Sequence, residues 1–241
     1  MQSAEYARMY ELEDTYWWFV ARRELALSVL HGAGLSGATL LDVGCGTGAG
    51  QSAFAEFGTV YGVDFSQEAL EFSGSRGLTL LAKADAEKLP IRTSSVDAVV
   101  TLDTIEHVPD DRAALKEIAR VLKPGGLLLM NVPAFMFLWG PHDIALMHQR
   151  RYTTASARRA VLAAGLEVER ATYSVFLLFP MVLASRVLSK LKGGEPSAKL
   201  PELPAWFQRY LGWVMRLELS LLKRINLPWG SSVVIVARKP S

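Results

Sequence analysis

The stretch LLDVGCGTGAG, Leu40 to Gly50, constrains this chain more than any other. An apolar run leads straight into three glycines within five positions, Gly44, Gly46 and Gly48. A backbone that bare after a buried strand allows tight turning and lets a ligand approach the main chain. GCGTGA fits G-x-G-x-x-A through Gly44, Gly46 and Ala49, and Asp64 ends the second strand twenty positions after Gly44. Taken alone, that pattern satisfies the dinucleotide fingerprint, with the acid on a ribose hydroxyl. Three features favour another ligand. Asp42 precedes the first glycine, completing D-x-G-x-G-x-G; a carboxylate there opposes a pyrophosphate and suits a ligand ammonium. Asp85 ends the third strand, where it can accept from an adenine amino group. LKPGG leads into a fifth strand, and the chain closes with one more strand after a late insertion.

Short apolar runs alternate with helical patterns. Strands are expected over 39–44, 59–64, 78–85, 96–103 and 127–132. Helices are expected over 51–57, after Ser66 as N-cap, and over DRAALKEIARVL, whose apolar positions 114, 115, 118, 121 and 122 follow a helical period. KPGG reads as the breaker before the fifth strand. Such alternation predicts a parallel sheet with helices on both faces. One more helix and strand follow 150, and SVVIVARK supplies the last strand. Four segments result: an N-terminal helical lid (1–36), a core (37–173), a helical insertion (174–231) and the final strand (232–241). Within the insertion, the apolar run 175–184 reads as interrupted by Pro180, and KGGEPSAKLPELP reads as a loop. Residues 204–225 form an amphipathic helix candidate. Arg209, Gly212, Arg216, Ser220 and Lys223 share one face, with Phe207, Tyr210, Leu211, Val214, Leu217 and Leu221 mainly opposite.

Charge separates the two ends of the chain. Residues 186–241 carry ten Lys/Arg against three Asp/Glu, a charge of +7, while the first 185 residues carry −5. A basic, apolar tail on an acidic body predicts an anionic membrane surface as partner for 204–225, with the apolar face in the headgroup region. A cover over an acceptor pocket and a dimer interface are the alternatives. The lone Cys45 excludes an intramolecular disulfide and fits a cytoplasmic setting, peripheral at the inner membrane face. No apolar run approaches the roughly 20 residues of a helical span, and the N-terminal sequence is too polar for a secretory signal.

LLDVGCGTG, GVD, ADAEKLP, DAVVTLDTIEHVPD and LKPGGLLLMNVP together resemble the successive motifs of class I S-adenosylmethionine-dependent methyltransferases of the ubiquinone-biosynthesis type. The resemblance covers roughly 39–133, weakens to 173 and returns at the last strand. It implies an α/β, Rossmann-like seven-stranded sheet whose antiparallel last strand inserts beside the sixth, with the insertion between those two strands. It also implies S-adenosyl-L-methionine as cofactor. Asp42, Gly44, Cys45, Gly46 and Gly48 would form the cofactor turn, Asp64 with Phe65 the ribose end, and Asp85 with Ala86 the adenine end. Asp103 would face the reacting crevice, and Trp17, in the aromatic stretch DTYWWFVARR, would cover the cofactor.

Asp103, Glu106 and His107 form D-x-x-E-H, similar to the metal-touching segment of ubiquinone-biosynthesis O-methyltransferases, but the same EH supports the cofactor pocket in metal-free relatives; the site is read here without metal. Methyl transfer needs orientation, plus a base for a hydroxyl or ammonium acceptor. WGPHDIALMHQRRYT crowds His142, Asp143, His148, Arg150, Arg151 and Tyr152 together after the fifth strand. His142, His148, Asp143 and His107 are the catalytic candidates, and Arg150, Arg151 and Tyr152 the acceptor-binding ones. The expected acceptor is a small, amphipathic or lipid-linked molecule methylated on oxygen or nitrogen. A soluble metabolite under a plain lid, or a non-catalytic cofactor-binding scaffold at a membrane complex, is the alternative. Nucleic acid is not an expected partner: LDTIEH stands where a base methyltransferase would carry N/D-P-P-Y/F/W.

Overall fold

The computed structural model describes residues 3–191 and 200–241. Its centre is a seven-stranded sheet of β1 (Ala38–Val43), β2 (Gly58–Asp64), β3 (Leu81–Lys83), β4 (Val96–Leu102), β5 (Leu122–Pro133), β6 (Glu167–Ser174) and β7 (Ser232–Arg238). The strand order is β3-β2-β1-β4-β5-β7-β6. The first five strands run parallel, and β7 lies antiparallel between β5 and β6. A seven-stranded sheet with an antiparallel last strand beside the sixth is what the resemblance implied.

Buried strand faces dictate two helical layers. On one face, α5 (Asp111–Val121) and α7 (Thr154–Ala163) bury Leu115, Ile118, Ala157 and Val161 against Val99, Leu128 and Ile235. On the other, α2 (Trp17–Gly32) and α3 (Ala49–Phe54) bury Ala26, Leu30 and Phe54 against Leu40, Val100 and Leu129. Ser66 caps α4 (Gln67–Ser75) through the backbone N–H of Ala69, as its sequence position predicts. The remaining described helices are α1 (Ser3–Leu12), α6 (Pro141–Ala145), α8 (Phe179–Leu191) and α9 (Ala205–Leu222).

Three local expectations need correction. KPGG does not interrupt the chain before a strand that starts at 127. β5 runs from Leu122 through it, pairing Leu122 with Val96 and Leu127 with Ala98 across a register shift. Gly125 absorbs the shift at φ +75°. The third strand spans three residues rather than the eight of 78–85. Pro180 does not break the apolar run either. It sits in the first turn of α8, where a missing N–H costs nothing. Most of the expected loop KGGEPSAKLPELP, residues 192–199, lies outside the described residues.

The insertion docks on the N-terminal helices. Leu211, Val214 and Met215 of α9 pack with Tyr16, Trp17 and Phe19 at the end of the sheet. The buried carboxylate of Glu218 on α9 accepts from the backbone N–H groups of Val175 (2.6 Å) and Leu177 (2.9 Å). This bond holds the exit from β6, where Val175 adopts φ +59°. Removing it leaves two N–H groups without a partner. We expect Glu218→Ala to lower stability by about 2–4 kcal/mol, read from urea unfolding.

Candidate active site

The glycine turn joins β1 to α3. Gly44, Gly46 and Gly48 all have positive φ, and a Cβ at Gly44 would lie 2.1 Å from the Thr104 hydroxyl. The turn is therefore pressed against the loop that leaves β4, and no larger residue fits at 44. Asp64, at the end of β2, accepts from Gly46 N–H (2.9 Å) and Ser66 N–H (2.8 Å). Each of its oxygens keeps a lone pair for a ligand hydroxyl. Phe65 stands beside it, 73% exposed. Asp85 is exposed in the turn after β3, where it accepts from Glu87 N–H (2.9 Å), and Ala86 packs on the core. Cys45 is buried, and burial, then the nearby Asp42 charge, pushes its thiol far above the usual range. It is an inert wall residue. Asp42 is buried too. Desolvation raises its carboxyl to about 7, so it would be stabilised as an anion by a cation bound at the turn.

The N-terminal helices lie across this edge. Met9 of α1 sits against Gly46, and Tyr10 packs at a tilt on Phe72 of α4, ring centres 5.1 Å apart. Glu13 accepts from the Thr47 hydroxyl (2.5 Å) and from Arg76 (2.8 Å), clamping the glycine turn to the end of α1. Arg22 of α2 pairs with Asp103 at 2.5 Å, and Asn131 of β5 donates to the other Asp103 oxygen at 2.8 Å. Asp103 itself has φ +54°.

Beyond Asp103 opens a cavity of about 600 Å³ between the sheet edge, α1, α2, α6 and α8. Trp17, Asp103, His107, His142, His148 and Arg151 all line it. Asp143 organises the polar wall. Its buried carboxylate accepts from Gly140 N–H (2.9 Å), binds Nδ1 of His148 (2.9 Å) and receives Arg151 (2.8 Å). Burial opposes its ionisation, but the His148 and Arg151 bonds outweigh burial and hold it well below the usual carboxylate range. With Asp143 ionised, the His148 proton resides on Nδ1 and Nε2 is free to accept. That Nε2 lies 4.0 Å from Glu106 Oε1. Glu106 is fully buried, and neither oxygen has a hydrogen-bond partner among the described residues. Burial, then the Asp103 charge, pushes its carboxyl well up. His107 packs edge-on against His148 with ring centres 4.6 Å apart. Burial lowers both His107 and His142 to about 4, so both are neutral at neutral pH. One ligand atom each from Glu106, His107 and His148 lies within 4.8 Å of the others. Those three residues, rather than Asp103 with Glu106 and His107, are the donors that could share a metal ion.

Two expected acceptor contacts fall elsewhere. Arg150 donates to the carbonyls of Val108 (2.7 Å) and Pro109 (2.6 Å), and the Tyr152 hydroxyl donates to Asp111 at 2.7 Å. Both fasten the loop to the start of α5, outside the cavity lining. Consecutive side chains on an extended segment point to opposite sides, so Arg151 turns inward where Arg150 and Tyr152 turn away. Sequence reading missed Arg186 of α8, which reaches the cavity and lies 3.8 Å from Asp143. It also missed Glu13. Neither carries a local motif.

Residues 41–130 match the family model described as methyltransferase domain. The ubiquinone biosynthesis O-methyltransferase of Idiomarina loihiensis is 38% identical over 108 residues, 42% of this chain and 44% of that one. The chain thus spans less than half of that relative's length. A chain from the Haloferax volcanii complex of the Trm112 methyltransferase activator aligns with TM-score 0.64 and 21% identity, covering 99% of this chain and 97% of that one. Haemonchus contortus phosphoethanolamine N-methyltransferase 2, solved with S-adenosyl-L-methionine, aligns with TM-score 0.56 and 21% identity, covering 86% of this chain and 50% of that one. At such identity these structures establish the fold.

Asp42 makes stability pH-dependent. A carboxyl raised in the folded state favours folding below its unfolded value, near 3.8, and loses that advantage as pH rises through about 7. Comparing Asp42→Asn with the parent by thermal unfolding, we expect the difference to move in the variant's favour between pH 5 and pH 8.

Proposed function

We propose that this chain, whose residues 41–130 match the methyltransferase domain model, is an enzyme that methylates an oxygen or nitrogen of a small amphipathic acceptor. The observation that carries this reading is the cavity itself, which shares Met9 with the glycine turn and is lined by His148, Glu106 and the aromatic side chains of Trp17 and Phe207. When bound, S-adenosyl-L-methionine supplies an electrophilic methyl group on sulfonium sulfur. The chain's own residues do the rest. Gly44, Gly46 and Gly48 leave room along the turn, Asp42 offers a carboxylate to an ammonium, and Asp64 offers lone pairs to ribose hydroxyls. Met9 and Trp17, on α1 and α2, close the site against water.

His148 is the base in this scheme. Asp143 fixes its tautomer, and Nε2 faces the space beside Glu106. An acceptor O–H or N–H placed there would give its proton to His148 Nε2. Asp143 is a positioning residue. His107 and His142, held neutral and weakly basic by burial, shape the pocket.

The outward side of α9 supports a surface-bound acceptor. Its apolar residues divide between two faces, contrary to the simple amphipathic pattern. Leu211, Val214, Met215 and Leu222 are buried, while Trp206, Tyr210, Trp213 and Leu217 remain 46–65% exposed. Arg209, Arg216, Lys223 and Arg224 are exposed around that stripe. Aromatic side chains framed by cations suit an anionic bilayer interface. No described helix is long and apolar enough to cross a membrane, so the contact is peripheral.

Two measurements test this reading. With methyl-labelled S-adenosyl-L-methionine and cell extracts, label should enter the lipid-extractable fraction, and His148→Ala should slow transfer by about 10²–10⁴-fold. In vesicle cosedimentation, phosphatidylglycerol should bind the chain and phosphatidylcholine should not. Trp206→Ala with Trp213→Ala should weaken that binding about tenfold. Label confined to water-soluble products, or equal binding to both lipids, contradicts the membrane part.

A further inference from the structure

We propose that Arg186, with Ser185 and Ser189 beside it on α8, forms an oxyanion subsite, so that the acceptor is an amphiphile bearing a carboxylate or phosphate. The inference rests on the methyltransferase reading of the cavity and names the chemistry of its second ligand.

The first observation is the lining stripe. Met181, Val182, Ser185, Arg186 and Ser189 all border the cavity. Their spacing places them along one side of a helix, so α8 presents a guanidinium flanked by two hydroxyls.

The second is a charge imbalance. Asp143 is the one acid paired with Arg186 among the described residues, and it is already taken. It holds Arg151 at 2.8 Å, His148 at 2.9 Å and the Gly140 N–H at 2.9 Å, whereas Arg186 stands off at 3.8 Å. Among the described residues the Arg186 guanidinium makes no hydrogen bond, although its side chain is only 21% exposed. His142, its neighbour in the wall, adds no negative charge, since burial and then the Arg186 charge keep it neutral. Two guanidiniums share one carboxylate, so Arg186 has no acid of its own within 4.0 Å among the described residues. Arg151, by contrast, brings two nitrogens to Asp143 Oδ1 and a third to the Ala134 carbonyl. A fork of free N–H donors matches a carboxylate or phosphate.

The third is polarity along the cavity. Glu106, with two unpartnered oxygens, stands beyond His148 from Asp143, while Arg186 lies on the other side of Asp143. Trp17, Leu203 and Phe207 provide an apolar wall. An acceptor with its O–H or N–H at Glu106, its oxyanion at α8 and an apolar body on the aromatic wall satisfies all three.

Calorimetric titration with octyl phosphate, octanoate and octanol tests this with the full chain. We expect one or both anions to bind at least about tenfold tighter than the alcohol. Which anion is preferred distinguishes phosphate from carboxylate. Arg186→Met should abolish the preference, and Arg186→Lys should retain part of it. Equal binding of all three probes, or an undiminished preference in Arg186→Met, overturns the subsite. If that variant does not fold, the parent's discrimination and Arg186→Lys still decide. S-adenosyl-L-methionine is titrated into the same parent preparation. Cofactor binding without anion preference rejects the subsite alone, and anion preference without cofactor binding supports the subsite and rejects the methyltransferase reading.

Discussion

A single buried carboxylate, Asp143, organises the polar wall of the cavity. It receives a backbone N–H, an imidazole and a guanidinium, with a second guanidinium nearby. These partners come from the loop after β5 and from α8, so one anion joins the insertion to the core. An ion this buried is tolerated because a backbone N–H, an imidazole and a guanidinium all reach it at hydrogen-bond distance. The arrangement also sets the His148 tautomer and leaves Nε2 and Glu106 facing the same space. Without Asp143 the imidazole loses its orientation and Arg151 loses its counter-charge.

The second constraint is the edge of the sheet. Three strand exits adopt left-handed backbone at residues other than glycine: Asp103 after β4, Phe135 after β5 and Val175 after β6. Each costs on the order of 1–3 kcal/mol, and each is secured by its surroundings. Arg22 and Asn131 hold Asp103, and Glu218 holds Val175. Phe135 stacks with Tyr173 at 4.9 Å and bonds its N–H to Tyr152 O at 2.7 Å. The strain redirects the chain at the open end of a parallel sheet, where ligands of such folds bind. Tyr152 and Arg150, outside the cavity, contribute by fixing the loop that bears His148 and Arg151.

Much of this was legible before any coordinates, for local reasons. Short apolar runs between turn residues locate strands, and the spacing in Leu40–Gly50 specifies a turn that only glycine serves at residue 44. The family resemblance implied a seven-stranded sheet with an antiparallel last strand inserted beside the sixth, as observed. What failed depends on partners distant in sequence. KPGG becomes part of β5 because Leu122 can pair with Val96. Arg150 and Arg151 are indistinguishable as letters, yet Pro109 and Asp143 claim them separately. The α9 helix looks like a two-faced wheel, but α2 takes one apolar side and leaves an aromatic stripe outside. Arg186 follows the apolar run 175–184 with no motif around it, and only the fold brings it to Asp143.

The central claim is that the glycine turn and the His148 wall belong to one site, with the cofactor's sulfur at their junction. A crystal structure of the complex with S-adenosyl-L-homocysteine measures this directly. The account predicts adenosine beside Asp64 and Phe65, the amino-acid part over Gly44–Gly48, and sulfur opening onto the space between Trp17, Glu106 and His148. A ligand seated elsewhere, or one whose sulfur faces away from His148, contradicts it.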